Sequence, residues 1–200
     1  MRVLAKKGSK VVYGITPDSR EWLTILCCVN AVGSALPGYY IFKGKKAMQN
    51  YLMECEDGAV MSMQGKAWMT GQLFEAWLDH FKAMLPSPLT PTQRHLLIVD
   101  GHGSHTRLEV VEKASQWGLD IVTLPAHTSH KLQPLDVAVF KPFKSNFQKE
   151  RNLWQLRTFS TQATKSELAG VASRALRTAY TESNIMAGFR AQVYGLSTIK

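Results

Sequence analysis

Two aspartates mark the places where this sequence could carry chemistry. Asp100 leaves the apolar run His95–Val99 for a glycine-containing loop, Gly101-His-Gly-Ser-His105. Asp136 closes a polar segment, Ala126-His-Thr-Ser-His-Lys-Leu-Gln-Pro-Leu-Asp136. Thirty-five residues lie between them, room for one helix and one strand. A strand–helix–strand return of that size can set the second carboxylate beside the end of the first strand. Two carboxylates brought together repel unless a cation lies between them. Hard oxygen ligands with open positions suit Mg²⁺ or Mn²⁺, with water and phosphate oxygens completing the shell. Two such ions can activate a nucleophile and stabilise the leaving oxygen of a phosphodiester. The competing reading is architectural: Asp100 caps its turn, and Asp136 favours a helix N-terminus.

Histidines flank both aspartates as His102/His105 and His127/His130. Four imidazoles suit zinc by ligand type, but loop pairs at this spacing without Cys or Glu partners are no zinc signature. They are better suited to hydrogen-bond the aspartates or to contact phosphate or water, and a structural role for His127 and His130 stays equally open. Gly101-His-Gly-Ser-His105 is not the Gly-x-Ser-x-Gly of a serine hydrolase. Downstream, Lys141, Lys144, Gln148 and Arg151 recur at helical spacing. On a helix they form a polar, mainly basic stripe able to track a phosphate backbone, or else a solvated face. Phe140, Phe143 and Phe147 make a neighbouring stripe that reads as core. Lys43, Lys45 and Lys46 read as a solvated loop.

The elements that must position these residues follow from pattern. Trp22–Ala31 and Tyr39–Phe42 read as paired antiparallel strands around a Gly33-Ser34 turn, the continuous apolar run suggesting cover on both faces. Phe74, Trp77, Leu78, Phe81 and Leu85 fall on one face of a helix over 72–85, with Thr70 near its cap. His95–Val99 reads as a buried strand, Arg107–Trp117 as a helix closed by Gly118, and Asp120–Leu124 as a strand stopped by Pro125. Pro134 suits a helix start carrying Asp136 in its first turn, and Pro142 would kink or divide that helix. Thr164-Lys-Ser-Glu167 is a capping-box pattern before an apolar face of Leu168, Val171, Ala172, Ala175, Leu176 and Ala179. Strands alternating with helices imply an α/β fold, a mixed sheet with parallel central strands.

The 200 residues suit one domain, with a core over about 11–151 and a helical part over about 152–200. Net charge is +9 and the pI near 9.6, which favours an anionic partner. From Val137 to Lys200 ten Lys/Arg face three Asp/Glu, so most of the excess sits in the last third. The longest apolar stretch, Leu23–Val32, is far too short to span a membrane, and Met1–Lys10 lacks the apolar centre of a secretory signal. Cys27, Cys28 and Cys55 make a poor disulfide framework and read as buried thiols of a reducing compartment.

Two strings carry a family resemblance: IVDGHGSH, then LPAHTSHKLQPLDVAVFKPFK. They resemble the second and third acidic motifs of the DDE superfamily endonuclease domain, in its pogo/Tigger/Jerky-like branch related to the centromere-protein-B group. REWLTILCCVNAVGSALPGYYIFKGK resembles that domain's paired strands, and SNIMAGFRAQVYGLS its closing segment. The resemblance covers about Lys7 to Ser197. It implies a ribonuclease-H-like mixed sheet with flanking helices and metal-dependent cleavage and strand transfer of DNA. Asp100 and Asp136 would be catalytic metal ligands for Mg²⁺ or Mn²⁺. His102, His105, His130 and Gln133 would lie at the active-site rim, and Lys141, Lys144 and Arg151 would contact nucleic acid. It further implies a nuclear location and leaves a homodimer open.

The family uses three carboxylates, the first ending a strand upstream of the paired strands. Met1 stands just after that place, and Asp18, the nearest candidate, lies in a turn-like Thr16-Pro-Asp-Ser19. The expectation is therefore a fold whose first strand is missing or incomplete, with impaired catalysis. The alternative is a non-catalytic nucleic-acid-binding module or a decayed transposon remnant.

Overall fold

In the computed structural model the described residues are 23–85, 87–101, 103 and 107–192. Strand β1 (Leu23–Leu26) pairs antiparallel with β2 (Tyr39–Lys43), Leu23 opposite Phe42 and Leu26 opposite Tyr39. The link turns at Asn30–Ser34, where Asn30 N donates to Ser34 O at 2.9 Å. Of the two strands it is β2 that is covered on both faces: Tyr39, Tyr40, Ile41 and Phe42 are all buried. β1 is half-buried along its length and shorter than its apolar run, which turns away past Leu26. A third strand, β3 (Val60–Gln64), lies parallel to β2 and was not legible as a strand in the sequence.

Helix α1 (Gly71–Met84) is capped by the Thr70 side chain, which accepts from Leu73 N. Its buried Phe74, Trp77, Leu78 and Phe81 join Tyr39, Ile41 and Leu97 in the largest apolar cluster. Strand β4 (His95–Val99) leads through α2 (Leu108–Gln116) to β5 (Leu119–Thr123), which lies parallel to β4. β4 is not buried throughout: Leu97 faces the core, while Leu96 and Ile98 are 62% and 44% exposed. The expected single mixed sheet is two sheets among the described residues, β1-β2-β3 and β4-β5. The architecture is mixed α/β with flanking helices.

After β5 come a short helix α3 (Ser129–Leu132), a π-helical turn (Leu135–Val139) and the long α4 (Phe140–Thr158). α5 (Lys165–Ala179) opens with the expected capping box, Thr164 with Glu167, and buries Val171, Ala172, Ala175, Leu176 and Ala179. α4 is tied to α5 by Trp154 Nε1 donating to Glu167 Oε1 and by the Arg174–Glu150 ion pair. α6 (Glu182–Gln192) packs against the π-helical turn through Ile185, Leu135 and Val139. No helix among the described residues is long and apolar enough to cross a membrane. Asp18 and residues 193–197 of the closing segment lie outside the described residues.

Candidate functional site

The site region is built by two parallel strands that end together. β4 and β5 run in register from His95 opposite Leu119 to Val99 opposite Thr123. Leu124 N donates to Val99 O at 2.9 Å, carrying the pairing one step past the strands. Asp100 follows directly, half-buried, and Gly101 is next. A Cβ at Gly101 would stand 3.2 Å from Leu124 O and near Ala126, so glycine lets the two departing segments run side by side.

Beyond Leu124 the chain is a series of local bonds. Pro125 cannot continue the strand. Thr128 N and Oγ1 both donate to Pro125 O, and His127 takes a left-handed conformation with φ 62°. This is a structural reason for a residue at the His127 position to be turn-tolerant, and its ring is exposed. Lys131 N and Leu132 N donate to Thr128 O, Gln133 N to Ser129 O, and Val137 N to Gln133 O. His130 lies exposed on α3, and Gln133 is half-buried at its end.

Asp136 sits on the wide turn, where Phe140 N donates to Leu135 O five residues back. Leu135 and Val139 turn inward to the cluster with Ala179 and Ile185. Asp136 is half-buried, and its side chain shows no hydrogen bond or ion pair to another described residue. The helix is therefore not broken at Pro142. It widens before the proline, which then stands in the first turn of α4, where a missing N–H is tolerated.

Asp100 and the Asp136 segment thus leave the same edge of the β4–β5 pair. His102 and His105 lie outside the described residues. Among the described residues no group of three or more His, Cys, Asp or Glu side chains is arranged to hold a metal ion. The chemistry of the donor set, two carboxylates, fits a hydrated hard cation.

On α4, Lys141, Lys144 and Gln148 are exposed and Arg151 is half-buried. Gln148 Nε2 donates to Asn152 Oδ1 at 3.0 Å. The neighbouring phenylalanines, expected as core, are half-buried. Phe140 and Phe143 pack on the Leu135–Val139 cluster, and with Phe147 they line an apolar cavity of about 340 Å³ against Leu23, Ile25 and Leu168. Sequence reasoning missed Gly188 on α6. A Cβ there would stand 2.5 Å from Pro134 O, so only glycine lets α6 seat against the turn that precedes Asp136. Its sole sequence signal is a glycine inside an otherwise helical pattern.

The family model described as DDE superfamily endonuclease matches residues 19–188. The chain is 30% identical over 178 residues, 88% of its length, to a Cochliobolus lunatus protein named MFS-type transporter clz9, of which it covers 19%. It is 28% identical over 151 residues, 75% of its length, to the human protein named Pogo transposable element with KRAB domain. The mouse protein of that name is 27% identical over 151 residues. The chain spans 24% of each of those two proteins. No solved structure matches it.

Proposed function

The chain belongs to the DDE superfamily endonucleases, and on that footing we propose that it is a transposase-derived domain that engages DNA through a carboxylate metal site. Its likeness to the pogo transposable element proteins supports the transposase origin. In this reading the two sheets belong to a ribonuclease-H-like fold. Asp100 and Asp136 are the ligands of Mg²⁺ or Mn²⁺, and His102, His105, His130 and Gln133 lie at the rim. The observation that carries it is the shared exit: Val99, bonded to Leu124, releases Asp100 beside the segment that leads to Asp136.

The bound cation would supply Lewis-acid polarisation of a phosphate oxygen. The protein's own part is to hold two anionic oxygens at one edge and to orient the nucleic acid. Lys141 and Lys144 present exposed ammonium groups on α4, and Arg151 lies on the same helix. They would neutralise phosphates along one strand and set the scissile bond over the edge. A site held by two carboxylates binds its ion weakly and cleaves slowly. The nucleus, where DNA is met, is the compartment this reading implies.

The experiment is Mn²⁺-dependent nicking of supercoiled plasmid, with DNA binding measured in parallel. Expected is slow nicking that disappears in both Asp100→Ala and Asp136→Ala. A second reading, DNA binding without cleavage, is favoured by the exposed basic stripe and the +9 charge. It requires salt-sensitive binding that survives both aspartate substitutions and falls when Lys141, Lys144 and Arg151 are neutralised. Absence of both nicking and binding would leave a remnant without either activity.

A further inference from the structure

We propose that Pro142 is the positioning residue for Asp136: by withholding an N–H it forces the wide turn Leu135–Val139 that sets the direction of the carboxylate. This rests on reading Asp100 and Asp136 as ligands of a divalent cation. The residues of the turn, Leu-Asp-Val-Ala-Val, carry no glycine or proline that would disturb a helix from within. An α-helix running from Leu135 through Thr158 would need position 142 to donate to the Ala138 carbonyl. Proline has no N–H, and its ring would crowd that oxygen. The regular ladder therefore starts at Phe140, and the turn before it closes from Phe140 N to Leu135 O.

Both ends of the turn are pinned. Leu135 is 7% and Val139 0% exposed, in one cluster with Ala179 and Ile185. On the other side, Gly188 holds α6 against the Pro134 carbonyl. The extra residue cannot be lost by sliding the segment, so it is kept as a widened turn, and Asp136 rides on it. Wide turns of this kind are frequent at functional sites. If position 142 regains an N–H, the α-ladder can extend backwards. Removing one residue from the turn swings Asp136 by about 100° around the axis relative to α4.

The test uses Pro142→Ala and Pro142→Val in the 200-residue chain. Both restore the donor, and valine is the poorer helix former. Mn²⁺ affinity is read by water-proton relaxation and folding by thermal melting. Expected is a roughly tenfold loss of Mn²⁺ affinity in both variants, with Pro142→Ala melting no lower than the parent. Unchanged affinity in either variant overturns the proposal. So does an affinity loss that merely parallels a loss of stability in both, since proline would then be a packing residue only. Asp100→Ala and Asp136→Ala are measured alongside. If neither weakens Mn²⁺ binding, the cation-site reading falls and this proposal with it. If both do and the proline variants do not, only the role of Pro142 falls.

Discussion

At the residue scale, Glu56 is a carboxylate this fold uses for structure, and it contrasts with Asp136. Its oxygens accept from Gly38 N, Tyr40 OH and Ser173 Oγ, joining β2 to α5. Burial pushes its carboxyl up, but the hydrogen bonds from Ser173, its own backbone, Gly38 and Tyr40 outweigh this and hold it below the ordinary value. A carboxyl lowered by folding adds stability above its unfolded value near 4.5, and that part is lost as pH falls through the folded value. Glu56→Ala should cost about 1–3 kcal/mol by urea denaturation at pH 7, because it strands Tyr40 and Ser173. The difference from the parent should shrink below pH 4; a constant difference would contradict the linkage. The three thiols are free, as the sequence suggested, but half-buried rather than fully buried. Burial pushes Cys27 and Cys55 up to about 11, and Cys28 to about 12. The folded chain should therefore react with iodoacetamide at pH 8 far more slowly than the urea-unfolded chain. Asp100 and Asp136 were legible as residue types at a spacing, since a strand end and a polar loop announce themselves in a few neighbouring residues. Gly188 was not, because its role depends on a carbonyl 54 positions away in the chain.

At the element scale, helices were easier to read than strands. α1 and α5 have the apolar spacing and the caps expected of them, and both properties are local. Thr164→Ala removes the hydroxyl that accepts from Glu167 N and should cost about 1 kcal/mol by urea denaturation. Thr164→Ser should restore most of it. β3 escaped notice because Val60-Met-Ser-Met-Gln64 is not rich in β-branched residues. It becomes a strand by pairing with the buried β2, which propensity does not register. β1 is shorter than its apolar run for a related reason: the run past Leu26 turns away, leaving only the isolated Val29–Ala35 bridge. The helix expected at Pro134 divides upstream of Pro142 rather than at it, because the ring constrains the turn before it.

At the scale of the whole molecule, charge and architecture decide what the domain meets. The excess of basic residues after Val137 includes exposed Lys141 and Lys144 on α4. If these contact phosphates, Lys141→Ala and Lys144→Ala should each lower the slope of log Kd against log salt by about 0.9 and weaken binding alike across DNA sequences. A salt slope equal to that of the parent would remove α4 from the interface. The sequence by itself determined the features that neighbouring residues control: the Thr70 and Thr164 caps, the apolar stripes of α1 and α5, the strand that releases Asp100, and the basic stripe on α4. These depend on a residue's type and on the three or four positions around it. The tertiary structure alone decided the parallel pairing of β3, the division into two sheets among the described residues and the seating of α6 against Pro134. Each of these is settled by contact between segments distant in the chain, where the free energy of burial and pairing outweighs local preference.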